Sequence, residues 1–201
     1  MRISNLKLIN YLTALFFVFA SSTAYFTPSA QAQEEESYED DTTFSKDGMI
    51  RVGQDFFGEG SEELALVLEK IFKDLGRPNA YIKGSELSAA LGIGLRYGKG
   101  QMLHKIEGEF PAYWVGPSIG PDVGGNGSKV FTLVYNLYDT DELYHRFPSV
   151  EGSAYYVGGV SANYMQWKDV VVVPIRMGVG LRLGANIGWT KYSKKRKVFP
   201  F

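Results

Sequence analysis

Glycine placement is the tightest constraint on what this chain can fold into. Eighteen of its 23 glycines fall between Gly84 and Gly188, within runs rich in Val, Ile, Leu and Tyr. Several stand two apart, as Gly92/Gly94 and Gly178/Gly180 do, and residues two apart share one face of a β-strand. Glycine inside a strand costs stability unless sharp curvature or a close backbone approach needs the space. A small, tightly coiled barrel needs both. A glycine-lined face that leaves room for another chain or a ligand is the alternative.

The runs themselves read as antiparallel strands separated by turns. Residues 79–83 form a short candidate. Residues 88–97 and 101–107 read as a hairpin turning at Gly98-Lys99-Gly100. Residues 111–119 follow, interrupted by Pro117, then 129–137. Residues 140–147 read as a helical turn capped by Thr140. Residues 153–167, 169–177 and 178–192 complete an up-and-down series. Sequential antiparallel strands of this kind close into a barrel or pack as a sandwich. The expected fold is therefore mainly β: a small soluble antiparallel β-barrel with one amphipathic N-terminal helix packed against it. That helix is residues 61–75. Ser61 is a natural N-cap, Glu62 and Glu63 suit the positive end of the helix dipole, and Gly76 is the expected stop. Leu64, Leu68, Ile71, Phe72 and Leu75 recur at helical spacing, and Leu66 and Val67 widen the stripe.

Three charge zones lie around this body. Arg2 and Lys7 precede an apolar run, Leu8 to Ala20, and Ala30-Gln31-Ala32 has the small residues that a signal peptidase reads. The pattern predicts a signal peptide over 1–32, cleaved after Ala32, and a mature protein in the periplasm of a Gram-negative cell. Residues 33–43 hold six acids and no base, so 33–47 reads as an acidic, disordered leader. A single β-barrel domain then spans 48–201 and ends in a basic tail. The chain as a whole has 21 basic and 22 acidic side chains, a net charge of −1. Without the signal peptide and the leader acids the balance is 19 against 16, or +3. Export makes nucleic acid an unsuitable partner, whereas an anionic envelope surface suits the tail, where Lys191, Lys194, Lys195, Arg196 and Lys197 are the expected contacts.

No catalytic constellation emerges. There is no cysteine and there are two histidines, His104 and His145, with no ligand spacing between them. The glycine pairs do not extend into a dinucleotide fingerprint, and Gly124 to Lys129 departs from a phosphate loop. Ser153 lacks the flanking glycine of a nucleophile elbow. No metal and no cofactor are expected. Two features suggest binding instead. Tyr and Trp are dense in the strands and suit sites that are apolar at one end and wet at the other. Arg96, Arg176 and Arg182 lie within apolar strands, where each needs a carboxylate, a ligand anion or an outward position. The candidate ligand-binding set is Arg96, Tyr97, Trp114, Tyr135, Tyr156, Arg176, Arg182 and Trp189.

The run Gly116-Pro117-Ser118-Ile119-Gly120, with Gly124 through Leu137, resembles the envelope integrity protein A (EipA) family of alphaproteobacteria, a family filed as a domain of unknown function. Arg146-Phe147-Pro148, Glu151 to Tyr155, Pro174-Ile175-Arg176, Gly178 to Asn186 and the closing Pro200-Phe201 carry the same likeness. It covers about residues 48–201. The resemblance implies a small periplasmic β-barrel that supports cell-envelope integrity, with no catalytic residues to carry over. The expected function is non-enzymatic binding of an envelope lipid, glycan or protein. A homo-oligomeric scaffold without a small ligand and an envelope hydrolase using carboxylates are the competing readings.

Overall fold

A computed structural model describes residues 42–58, 61–123, 128–177 and 188–196. The segment read as a signal peptide, most of that read as an acidic leader, Arg182 and Lys197 lie outside the described residues.

Among the described residues two helices come first, where the sequence reading has one. Helix α1 (Lys46–Phe57) starts within the segment assigned to the leader, so ordered chain begins ahead of residue 48. The Ser45 hydroxyl caps it by accepting a hydrogen bond from the Gly48 N–H at 3.2 Å. Gly58 ends it in the left-handed region, at φ 81°. Met49 and Gly53 are buried, with Val52 and Phe56 half-buried beside them. That spacing is helical, but two glycines and interspersed charges dilute the stripe. Helix α2 (Glu62–Leu75) follows the expectation closely. Ser61 accepts from the Leu64 N–H at 3.1 Å, and Leu64, Val67, Leu68 and Ile71 are buried. Leu66 is 46% exposed, so it faces solvent and does not widen the stripe.

Among the described residues seven strands follow: β1 (Ala80–His104), β2 (Gly108–Val123), β3 (Ser128–Tyr135), β4 (Arg146–Val157), β5 (Val160–Trp167), β6 (Val170–Met177) and β7 (Trp189–Ser193). They form a closed barrel in the order β1-β2-β7-β4-β5-β6-β3, with every pairing antiparallel. The expected up-and-down series is therefore corrected: β2 pairs with β7, β3 with β6 and β1 with β3, so neighbours in the sheet are often distant in sequence. The expected 153–167 strand is two, β4 and β5, joined at Gly158-Gly159, both at positive φ. Asp139, not Thr140, caps the 3-10 turn Thr140–Leu143, its side chain accepting from the Asp141 N–H.

The largest correction concerns Gly98-Lys99-Gly100. The chain does not turn there. β1 runs on to His104, and the hairpin turns at Lys105–Glu107. The turn is held by His104: its Nδ1 accepts from the Ile106 and Glu107 N–H groups, and its Nε2 lies 2.8 Å from the Leu137 carbonyl. Two donors on Nδ1 leave Nε2 to carry the proton that Leu137 accepts. The glycines serve a close approach instead. A Cβ on Gly98 would fall inside the Trp114 indole, and one on Gly100 would lie 2.9 Å from Gly84 Cα. β1 thus bends until its two limbs touch at Gly84 and Gly100. The first limb pairs with β3 and the second with β2.

Alternation along the strands sorts two cores. Phe131, Leu133 and Tyr135 of β3 and Val171, Val173 and Ile175 of β6 face outward under the helices, against Met49, Leu64, Leu68 and Ile71. Val130 and Val134, with Val170 and Val172, face inward with Ile82, Met102, Trp114, Phe147, Met165 and Tyr192. Both faces of β3 and β6 are buried, which is why each reads as a near-continuous apolar run.

Candidate functional site

The inward positions of β1, β2 and β6 converge on one carboxylate. Glu86 stands at the β3-paired end of β1, opposite Ser128. Arg176 of β6 grips it along one edge of its guanidinium, Nε donating to Oε1 at 3.0 Å and Nη2 to Oε2 at 3.0 Å. Trp114 Nε1 donates to Oε2 at 2.9 Å. Arg96 from the second limb of β1 completes the group, its Nε 3.6 Å from Oε2. Glu86 and Arg96 are 5% and 6% exposed, so these charges lie largely out of water. Such a cluster holds only when geometry and hydrogen bonding are good on every side.

The electrostatics follow from that geometry. Burial by itself drives the Glu86 carboxyl up. The charges of Arg176 and then Arg96, with the hydrogen bonds from Arg176 and Trp114, outweigh it and hold the group below the usual carboxylate range. Burial, then the like charge of Arg176, pushes Arg96 down to about 10, against the pull of Glu86. Arg176 goes the other way: burial lowers it, and the contact with Glu86 more than restores it. The two arginines differ because Arg176 makes the bidentate contact and Arg96 stands farther off. Both remain cations at neutral pH. Tyr192 closes the group from β7, its ring 6.0 Å from that of Trp114, and burial first of all lifts its hydroxyl to about 12.

Beside this cluster, where the limbs of β1 separate, lies a pocket of about 210 Å³. Tyr97, Tyr113 and Trp114 give it aromatic walls, Lys99 and Arg196 add cations, and Ser85 and Ser193 bring hydroxyls. Among the described residues Glu86 is the one carboxylate on its lining, and its oxygens are already engaged. Aromatic planes with hydroxyls and cations suit a polar, anionic molecule that also carries apolar or sugar-ring surface.

The structure unites part of the sequence-derived set and disperses the rest. Arg96, Arg176 and Trp114 meet at Glu86, while Tyr97 and Trp114 share the pocket with Arg196 of the tail. Tyr135 faces the helices, buried, and its hydroxyl has no hydrogen-bond partner among the described residues. Tyr156 is 52% exposed on β4. Trp189 lies on the outer wall under the Arg146 guanidinium, 4.2 Å from the ring centroid. Among the expected membrane cations, Lys194 is bound to Asp141 and sits over Tyr144, Lys191 lies within β7, and Lys195 and Arg196 are exposed. Glu86 was missed. The signal was available, since it is the only acid from residue 80 to residue 104 and strand arginines call for a carboxylate. Lys99, Tyr113, Ser85 and Ser193 had no signal that a sequence could carry, because only the bend in β1 gathers them.

Fold and site together define a small closed antiparallel β-barrel, covered by two helices on one side and organised within by a buried Arg–Glu–Arg group. The chain belongs to the envelope integrity protein A family, whose model matches residues 42–201. A crystal structure of a β-barrel-like, uncharacterized protein from Brucella abortus is similar to it, with 44% identity and a TM-score of 0.74. The likeness covers 80% of this chain and 99% of that one. No curated protein matches. The family's name ties its members to envelope integrity.

Proposed function

We propose that this is a non-enzymatic periplasmic barrel that supports the cell envelope by binding an anionic envelope lipid or glycan in the pocket beside β1. The carrying observation is the pocket lining: three aromatic walls, two cations and two hydroxyls around about 210 Å³. The signal-peptide pattern of residues 1–32 supports export, and the family's name supports an envelope role. Glu86 supports the non-enzymatic reading. A carboxylate held ionised by two arginines and an indole has no proton to give and little tendency to take one.

Trp114 reports on the pocket directly. Titrating the purified protein with lipid and glycan extracts of the envelope, while following tryptophan fluorescence and identifying retained species by mass spectrometry, should give a saturable change. Tyr97→Ala with Arg196→Ala should weaken it at least about tenfold, as the loss of a stacking plane and a charged contact implies. No retained species and no fluorescence change would remove the reading. Intact mass of the protein from the periplasmic fraction should correspond to a chain that starts at Gln33.

A further inference from the structure

The barrel has two unlike outer walls. The helices make their main contacts with β3, β4 and β5. The other wall consists of residues 95–101 of β1, 111–117 of β2, 189–193 of β7 and 146–148 of β4. Its inward side chains Trp114, Tyr192 and Phe147 belong to the interior, so the alternate positions point out. Those positions include Tyr97, Lys99, Tyr113, Lys191, Trp189 and Arg146. None of the four segments contains a carboxylate. Arg146 stands directly opposite Lys191 on the neighbouring strand, and like charges so placed oppose folding. Lys195 and Arg196 continue the basic surface, Arg196 at the rim of the pocket. The cations are spread over three strands and the tail, among Trp and Tyr, and do not converge on one point. That pattern fits a plane of many anionic headgroups better than a single anion.

We propose that this wall lays the barrel on an anionic phospholipid surface, with the mouth of the pocket turned toward the lipid. The proposal rests on the envelope reading above and adds which surface docks and on what. Lys194, occupied by Asp141 and Tyr144, is not among the docking residues. Lys99, Arg146 and Lys191, which lie far apart in sequence, are.

The test uses protein recovered from cells expressing the full chain, sedimented with vesicles. One set mixes phosphatidylethanolamine with phosphatidylglycerol, and the other is phosphatidylcholine alone. The protein should pellet with the anionic vesicles only, and added salt should release it. Lys99→Glu with Lys191→Glu should lower the partition at least about tenfold, whereas Lys73→Glu on the exposed face of α2 should leave it unchanged. Lys191→Glu should melt no lower than the unsubstituted protein, because it turns the opposed pair with Arg146 into an attractive one. Lys191→Glu alone should also lower the partition, and that loss is therefore not a loss of fold. Equal binding to both vesicle types, undiminished binding by the double variant, or an equal loss from Lys73→Glu would each overturn the proposal. So would retention on polyglutamate without vesicle binding, which would assign the wall to an acidic protein. If the vesicles fail while the Trp114 titration succeeds, the docking falls and the pocket reading stands. The reverse outcome removes the pocket reading alone.

Discussion

Strand β3 divides two buried regions that differ in kind. On its outer side Phe131, Leu133 and Tyr135 pack against α1 and α2 in a layer of apolar side chains. On its inner side Val130, Thr132 and Val134 line the barrel, where apolar packing around Leu137, Leu143 and Phe147 gives way toward Ser128 to the Glu86, Arg96 and Arg176 group. An apolar layer needs shape and volume and accepts several solutions. A buried ion group needs each partner in place, since removing one leaves the others charged and out of water. The helix-covered layer therefore supplies burial, and the interior supplies a unique arrangement of strands around one carboxylate.

The sharpest way to break this comparison is Glu86→Gln. It keeps the shape and removes the charge that two arginines share, so stability should fall by about 3–5 kcal/mol in denaturant unfolding. A loss below about 1 kcal/mol would show that the ion group does not organise the interior. The same residue gives the two regions different pH responses. The Glu86 carboxyl is more acidic folded than unfolded, so its contribution is complete above the ordinary value of 4.5 and is lost as pH falls through the folded value. Melting temperature should therefore drop on acidification below that range, and Glu86→Gln should flatten the drop. Leu68→Ala, on the helix side, should cost about 3 kcal/mol and leave the acid limb of the pH profile as it was.

Glycine substitution sharpens the contrast at smaller magnitude. Gly98→Ala forces a methyl into the Trp114 indole, so it should destabilise by about 1–3 kcal/mol and shift tryptophan emission. Gly53→Ala should do the opposite. Its Cβ would meet Leu68, Leu64 and Phe131 at 3.5–3.6 Å, ordinary contact distances, and alanine is the better helix former. A gain of about 0.5–1 kcal/mol is expected. Should Gly98→Ala gain stability as Gly53→Ala does, close backbone approach would not be what the strand glycines provide.

Much of the local structure is legible along the chain. Helix α2 follows from Ser61, the acids behind it, the leucine spacing and Gly76, because all of these act within a few turns of one another. Strands β3 and β6 follow from their β-branched runs. Helix α1 was legible in principle from Ser45, Met49, Val52 and Phe56, but Gly48 and Gly53 hid it. Gly53 is buried against Leu64, Leu68 and Phe131, which is tertiary information. For the same reason Gly98 and Gly100 read as a turn although they serve Trp114 and Gly84. The strand arginines announced a missing anion without saying where it was.

The amino-acid sequence by itself determined that the chain is mostly antiparallel strands with an amphipathic helix laid against them. Periodicity, caps and breakers are local and need no partner to be read. Only the tertiary structure decided the strand order, the bend of β1, the meeting of Arg96 and Arg176 at Glu86, and the wall that gathers Lys99, Arg146 and Lys191. Each of these depends on residues far apart in the chain becoming neighbours. That proximity is set by how the barrel closes and buries both faces of β3, which no single segment encodes.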